Sequence, residues 1–283
     1  MTEAQSIATI TPGKLTLVGR TRSAYSAVNL GVTLTAAKGP LAVLSDINFE
    51  VAPGEIVAIV GRSGTGKTTL LRVLGGLTEP TEGSVCHHET PIAGPPASAV
   101  TVFQDYTNAL LSWRSVARNV GLGLERRVSK EERASRVREA LRLVDLEKFA
   151  DELPWRLSGG MQQRVQIARA LAMNPDVLLM DEPFGALDAI TKQSLQDELL
   201  QVHEATRPTI IFITHDIDEA LYLSDRVFVI AGSPGAGKPG RLTMQSETCL
   251  PRPRDPVITR ELPQYLALRH TLVDALHVRD RNG

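Results

Sequence analysis

Gly61-Arg62-Ser63-Gly64-Thr65-Gly66-Lys67-Thr68-Thr69 is the stretch from which the rest of the 283-residue chain can be read. It fits G-x-x-x-x-G-K-[ST], the pattern of a phosphate-binding P-loop. Glu55-Ile-Val-Ala-Ile-Val60 before it is an apolar run of strand length, as a buried parallel strand requires. Residues 69–77 after it read as a helix. Strand, glycine loop and helix are the context the pattern needs. The glycines let the backbone bend so that successive N–H groups face an anion, and the helix start adds positive dipole. Lys67 is placed to reach the β- and γ-phosphates of a nucleotide, and the Thr68 hydroxyl to ligate Mg²⁺.

Upstream, residues 1–26 are rich in Thr, Ser and Ala without a sustained period and read as a loose N-terminal extension. Val28, Leu30, Val32 and Leu34 alternate as in a half-exposed strand. Residues 36–40 form a turn, and 41–51 read as two short strand pieces around Asp46. Pro53-Gly54 is a turn into the P-loop strand.

Downstream, a strand is expected at 84–88, a Pro/Gly-rich loop to Pro96, and an apolar strand at 99–103 ending at Gln104. From about 105 to 156 the character is helical. Ser129-Lys-Glu-Glu132 is a capping-box pattern, followed by Val137, Leu141 and Val144 at helical spacing. Leu157-Ser-Gly-Gly-Met-Gln-Gln-Arg164 opens a further helix with Ser158 as N-cap and Pro175 as stop. Val177-Leu-Leu-Met180 is a fully apolar strand ending in Asp181-Glu182. A helix over 189–205 leads to the strand 209–213, which ends at Thr214-His215. A short helix over 218–223 and a strand over 226–231 follow. Beyond Gly232 the glycines and prolines predict a linker, then the extended Leu250-Pro-Arg-Pro-Arg-Asp255 and an amphipathic helix over 262–277. Two readings of that tail stay open, a regulatory element or a solvated one.

Composition narrows the function classes. The formal net charge is −1, which offers no long-range attraction to nucleic acid. No stretch approaches the ~20 apolar residues of a membrane span. The first dozen residues lack a basic-then-apolar pattern, so secretion is not expected. Cys86 and Cys249, the two cysteines, are too isolated for a disulfide framework or a metal site and read as reduced thiols.

Three apolar strands thus end in Gln104, Asp181 and His215. In open α/β sheets ligands sit outside the carboxyl ends of the strands, so a P-loop at one strand end would gather all three at one phosphate chain. Of the paired carboxylates, Asp181 can hold Mg²⁺ through water and Glu182 can orient the attacking water. Leu157-Ser-Gly-Gly160 offers a second glycine-loosened helix start, hence a second anion site. One nucleotide cannot easily use both within a chain. The economical solution is two chains face to face, each serine–glycine turn capping the nucleotide of its partner, with ATP joining them and hydrolysis releasing them.

This set, in this order, resembles the ATP-binding cassette (ABC) family over about residues 28–231. In that family's terms, residues 61–68 are similar to Walker A, Gln104 to the Q-loop and 157–162 to the signature sequence. Residues 177–181 are similar to Walker B, Glu182 to the catalytic carboxylate, Gly185-Ala-Leu-Asp188 to the D-loop and His215 to the switch histidine. The resemblance implies an α/β P-loop NTPase core over 27–235, with an antiparallel β-subdomain and an inserted α-helical subdomain at about 105–156, then a C-terminal linker and helix over 236–283. It implies ATP as ligand, held by residues 61–69 and Asp181, and Mg²⁺ at Thr68, Asp181 and Gln104. It implies catalytic roles for Lys67, Glu182, His215 and Gln104, with Gln104 and His215 near the γ-phosphate. Ser158, Gly159 and Gly160 would act on the nucleotide of the second copy.

A closer resemblance is to the importer ATPases for nitrate, sulfonates, taurine and related small solutes. Leu110-Leu-Ser-Trp-Arg-Ser-Val116, Asp181-Glu-Pro-Phe-Gly-Ala-Leu-Asp188, Thr214-His-Asp-Ile-Asp-Glu-Ala220 and Pro251-Arg-Pro-Arg-Asp255 carry it. It implies separate transmembrane permease subunits, a second ATPase copy, indirectly a solute-binding protein, and a peripheral place on the cytoplasmic face of the membrane. The helical subdomain would pivot at Gln104, with Leu110, Leu111 and Trp113 facing a groove for a cytoplasmic helix of the membrane partner, or else packing the subdomain. The chain departs from the family in two respects, of which Met161 in the signature, where many members have Gln, changes little. The family's adenine-stacking aromatic falls near Thr35, where none occurs between Ser26 and Asn48, so either the base sits on aliphatic atoms or Tyr25 folds back. Rival readings are an exporter ATPase, a soluble cassette acting on nucleic acid or ribosomes, and a kinase or GTPase. The last leaves Leu157–Gly160 without a role.

Overall fold

The computed structural model describes residues 23–37, 39–103, 109–185 and 187–277. In chain order, β1 (Tyr25–Ala36), β2 (Gly39–Val51) and β3 (Ile56–Val60) lead into α1 (Lys67–Leu74). There follow β4 (Glu82–His87), β5 (Thr90–Pro91) and β6 (Ala99–Val102), then α2 (Val116–Val120), α3 (Lys130–Leu143) and α4 (Gly159–Ala172). The second half alternates: β7 (Val177–Asp181), α5 (Ala189–Thr206), β8 (Thr209–Thr214), α6 (Ile217–Leu223) and β9 (Arg226–Ser233). It closes with β10 (Lys238–Glu247), α7 (Ile258–Glu261) and α8 (Pro263–His277).

The strands form one sheet in the order β5-β4-β1-β2-β10-β9-β3-β8-β7-β6. From β9 to β6 all neighbours are parallel, and β1 pairs antiparallel with both β2 and β4. The chain is therefore an α/β fold with a parallel core and an antiparallel subdomain. The parallel strands are apolar throughout because both their faces are covered, and the two-residue period divides each between two cores. Ala58, Leu178, Met180, Ile210 and Phe212 meet α4, α5, α6 and the helical segment 110–157. Val57, Ile59, Leu179, Ile211 and Ile213 meet α1 and the antiparallel strands. Each such side chain, fully buried, stabilises the fold by roughly 1.5–3 kcal/mol before entropy is counted.

Four expectations change. The N-terminal extension does not run to 26: Ala24 and Tyr25 are wholly buried, and Tyr25 starts β1. Of the four alternating residues expected on β1, Leu30 and Val32 are buried while Val28 and Leu34 are exposed, because register shifts at Ala27/Leu30 and beyond, with Asn29 at φ 50°, break the simple alternation. β2 is one strand carrying Asp46 at φ 54°, not two pieces. The expected linker after Gly232 contains β10, which lies antiparallel to β9 and touches β2 at Gly240↔Leu44.

The helical segment is built as its caps suggest. Ser129 Oγ accepts from the Glu132 N–H at 3.1 Å, and Val137, Leu141 and Val144 are buried. Buried Asn119 ties 110–115 to α2 by donating to the carbonyls of Leu111, Arg114 and Ser115 while accepting from the Leu111 N–H. Arg169 of α4 donates to the Ala109 carbonyl at 2.9 Å. Leu110 packs inward, whereas Trp113 is 74% exposed, so the two expectations for this stretch divide between them. The tail is not a solvated one: Tyr265 and Leu272 of α8 are buried, and Arg252 pairs with Asp225 at 2.8 Å.

Candidate functional site

Residues 61–66 leave β3 and turn back into α1 through Gly64 at φ 78° and Gly66 at φ 99°, values that glycine alone adopts without strain. The loop is seated on its neighbours as closely as backbone allows. A Cβ on Gly61 would lie 2.4 Å from the Ile230 carbonyl oxygen, and one on Gly66 2.7 Å from Leu44. Thr65 Oγ1 donates to the Arg62 carbonyl at 2.9 Å and locks the bend. Arg62, Ser63, Gly64 and Thr68 remain exposed, while Thr65 and Lys67 are buried and Gly66 and Thr69 half-buried. Lys67 Nζ donates to the carbonyls of Gly61 at 2.7 Å and Arg62 at 2.9 Å, which holds the ammonium across the mouth of the loop.

Three strand ends meet this loop, because β3, β8 and β7 are parallel neighbours with Val60 beside Thr214 and Asp181 beside Ile213. Asp181 is 5% exposed and faces Thr68 and Lys67. Burial pushes its carboxyl up, the Thr68 hydroxyl hydrogen bond pulls it back, Glu182 pushes it up further, and Lys67 pulls it down. Burial in turn holds the Lys67 ammonium low, with Glu182 and Asp181 opposing. The pocket therefore carries a buried cation facing two carboxylates, and a divalent metal with phosphate oxygens would satisfy both.

Glu182 sits at φ 46°, a left-handed conformation that costs a non-glycine residue roughly 1–3 kcal/mol and is held only where its surroundings fix it. Its N–H donates to the Ile213 carbonyl at 3.1 Å, and its own carbonyl accepts from Gly185 at 3.2 Å. This aims the carboxylate at His215, whose Nδ1 is 3.4 Å from Glu182 Oε2. Lys67, Thr68, Asp181, Glu182 and His215 are thus one cluster. Gln104 lies outside the described residues, after a β6 that pairs parallel with β7.

Ser158, Gly159 and Gly160 belong to a different surface. Ser158 caps α4, its Oγ accepting from the Met161 N–H at 3.3 Å, and it is exposed with Gly159. A Cβ on Gly160 would come within 2.5 Å of Thr191, so this glycine also lets α4 pack on α5. Trp155 beside this turn is 64% exposed, and Ile190 at the start of α5 is 84% exposed.

Tyr25 does not fold back toward a base. It is fully buried, donates to the Leu74 carbonyl at 2.9 Å and lies against His87 at 4.8 Å between ring centroids. The apolar atoms bordering the P-loop come instead from Val43 and Leu44. Sequence reasoning also missed Gly240, which supports the P-loop from behind: a Cβ there would lie 2.0 Å from the Thr65 carbonyl oxygen. The alternation of Leu242 and Met244 with polar residues was the available sign of its strand.

Comparison with known proteins agrees with this geometry. The family model described as ABC transporter matches residues 44–185. The nitrate import ATP-binding protein NrtD of Synechococcus elongatus is 42% identical over 88% of this chain and 90% of its own length. The bicarbonate transport ATP-binding protein CmpD of the same species is 42% identical over 89% of each chain. Among solved structures, the dimeric ATP-binding cassette MJ0796 in a post-hydrolysis state bound to ADP and Pi superposes with a TM-score of 0.68, at 32% identity over 79% of this chain and 98% of that one. CbiO1 from Clostridium perfringens, part of the ABC transporter complex cbiONQ, gives 0.72 at 28% identity over 91% of this chain and 96% of its own. The chain belongs to the ABC transporter family. It is an ATP-binding, ATP-hydrolysing cassette.

Proposed function

We propose that this cassette powers an importer of a small solute of the nitrate, bicarbonate, sulfonate or taurine type, working from the cytoplasmic face of the membrane through separate permease subunits. The relative named for nitrate import supports that direction, and together with the relative named for bicarbonate transport it supports the solute class. No helix among the described residues is long and apolar enough to cross a membrane; the membrane-spanning partner comes with the importer reading. A solute-binding protein would meet that partner and not this chain.

In this reading the 61–66 backbone and the α1 N-terminus cradle the phosphates of ATP, and Lys67 bridges the β- and γ-phosphates. Thr68 and Asp181 fit Mg²⁺: a hydroxyl and one buried carboxylate in contact, with phosphate oxygens completing the shell, suit an ion that seldom takes an all-protein cage. When bound, the metal would neutralise charge on the transferred phosphoryl group. Glu182 orients the attacking water, and His215 and Gln104 contact the γ-phosphate. Ser158 and Gly160 act on the nucleotide of a second copy, whose arrival would also cover Trp155 and Ile190.

One observation carries the proposal. A P-loop cluster of Lys67, Thr68, Asp181, Glu182 and His215, with Glu182 and His215 set 3.4 Å apart, shares a chain with a separate serine–glycine helix start whose Ser158 and Gly159 are exposed. The membrane partner is assigned to the groove of about 560 Å³ beside exposed Trp113, walled by Arg118, Lys130 and Arg133. Affinity purification of the tagged chain from detergent-solubilised membranes tests the assignment. The expected result is a permease with several membrane spans in fixed ratio to a pair of cassettes. Recovery with no membrane protein would refute it.

A further inference from the structure

His215 lies between two residues that are both pinned, Thr214 by Glu219 of α6 and Asp216 by Lys192 of α5. Glu219, 4% exposed on the first turn of α6, accepts from the Thr214 hydroxyl through Oε2. The same Thr214 oxygen accepts from the Asp216 N–H at 3.0 Å. Lys192, on the first turn of α5, reaches across to Glu219 Oε1 at 2.7 Å and Asp216 Oδ2 at 3.3 Å. Asp216 Oδ1 in turn caps α6 by accepting from the N–H groups of Asp218 and Glu219. The backbone on either side of His215 is therefore fixed by one ammonium and one buried carboxylate.

The other end of this arrangement is Glu182. His215 meets Glu182 across 3.4 Å. The contacts from Lys192 to Glu219, from Glu219 to Thr214 and from His215, next to Thr214, to Glu182 therefore form one chain that ends at Glu182. Neither Lys192 nor Glu219 belongs to the phosphate pocket.

We infer that Lys192 and Glu219 are positioning residues for hydrolysis, a strut from α5 that sets where His215 stands relative to Glu182. The inference rests on the roles proposed above for those two residues. Burial pushes the Glu219 carboxyl up, and the Lys192 and Thr214 hydrogen bonds pull it back down, as expected of a buried charge that depends on its partners. A misplacement of about 1 Å at reacting groups can cost 10²-fold in rate, so the strut should act on kcat more than on binding.

The test uses the purified full-length chain, with single-turnover hydrolysis of radiolabelled ATP and the ATP dissociation constant measured side by side. Lys192→Met and Glu219→Gln are each expected to lower the rate about 10- to 100-fold with Kd held within about twofold, and Lys192→Arg to keep most of the rate. In a His215→Ala background, Lys192→Met should lower the rate no further, since groups acting as a unit are not additive. A purely structural role would instead lower the melting temperature and move rate and affinity together. Should Lys192→Met fold poorly, Lys192→Met/Glu219→Gln removes both ends of the buried pair and is read in the same way. Lys192→Met at the wild-type rate, or a loss that multiplies with that of His215→Ala, overturns the inference alone. His215→Ala at the wild-type rate overturns the reading of the site, and the inference with it.

Discussion

Replacing Gly240 by alanine should weaken nucleotide binding from the far side of the P-loop. The added Cβ would stand 2.0 Å from the Thr65 carbonyl oxygen, where real Cβ contacts do not fall below 3.0 Å. Backbone must therefore part by at least ~1 Å, and the obstacle is a main-chain carbonyl with no rotamer to escape into. Either the β9–β10 hairpin yields or the loop does. Overpacking of this kind costs roughly 1–3 kcal/mol. If the loop yields, residues 65–67 leave the geometry that holds the Lys67 ammonium, and the same energy appears as a loss of about 5- to 150-fold in affinity. If the hairpin yields, it appears as a melting temperature lower by about 2–10 °C. Gly235→Ala in the same hairpin is the control, because a Cβ there meets nothing within 4 Å. Titration with a fluorescent ADP analogue and a thermal melt on both variants decide the matter. Gly240→Ala indistinguishable from Gly235→Ala in both measurements would refute the seating of the P-loop on β10.

Tyr25→Phe removes the hydrogen bond to the Leu74 carbonyl and should cost about 1 kcal/mol of stability while leaving ATP affinity unchanged; a marked loss of affinity would restore Tyr25 as a base platform. Burial holds His87 and His203 below their ordinary value of 6.5, so the unfolded chain takes up their protons first. The stability they contribute is whole above that value and is lost as the pH falls through it toward their folded-state values. Melting temperature should then fall less steeply between about pH 7.5 and pH 5.5 in His87→Gln/His203→Gln than in the wild type, and equal slopes would contradict this. Trp113→Ala should leave basal ATP hydrolysis intact and lower co-purification with the membrane partner; normal recovery would remove Trp113 from the docking groove.

What could be read in the sequence was what is local. The P-loop pattern, the polar residues ending apolar strands, and the caps at Ser129 and Ser158 each depend on a few adjacent residues, and the structure has Lys67, Thr68, Asp181, Glu182 and His215 together. What could not be read depends on distant partners. Val28 and Leu34 alternate like core residues, yet irregular pairing with β2 turns them outward. β10 hides behind the glycines and prolines of residues 232–240, and two of those glycines stand where backbone meets backbone: Gly232 against Pro239 and Gly240, and Gly240 against Thr65. Lys192 and Glu219 looked like ordinary polar residues at the starts of two helices. Only their closing to 2.7 Å gives them a role.

The central claim is that two copies close over shared ATP, each lending its Ser158 turn to the other's Lys67 pocket. The most direct test is the solution mass of Glu182→Gln by light scattering, in excess MgATP and again in MgADP. The account predicts twice the single-chain mass with MgATP and the single-chain mass with MgADP. A protein that binds MgATP and still keeps the mass of one chain would contradict it.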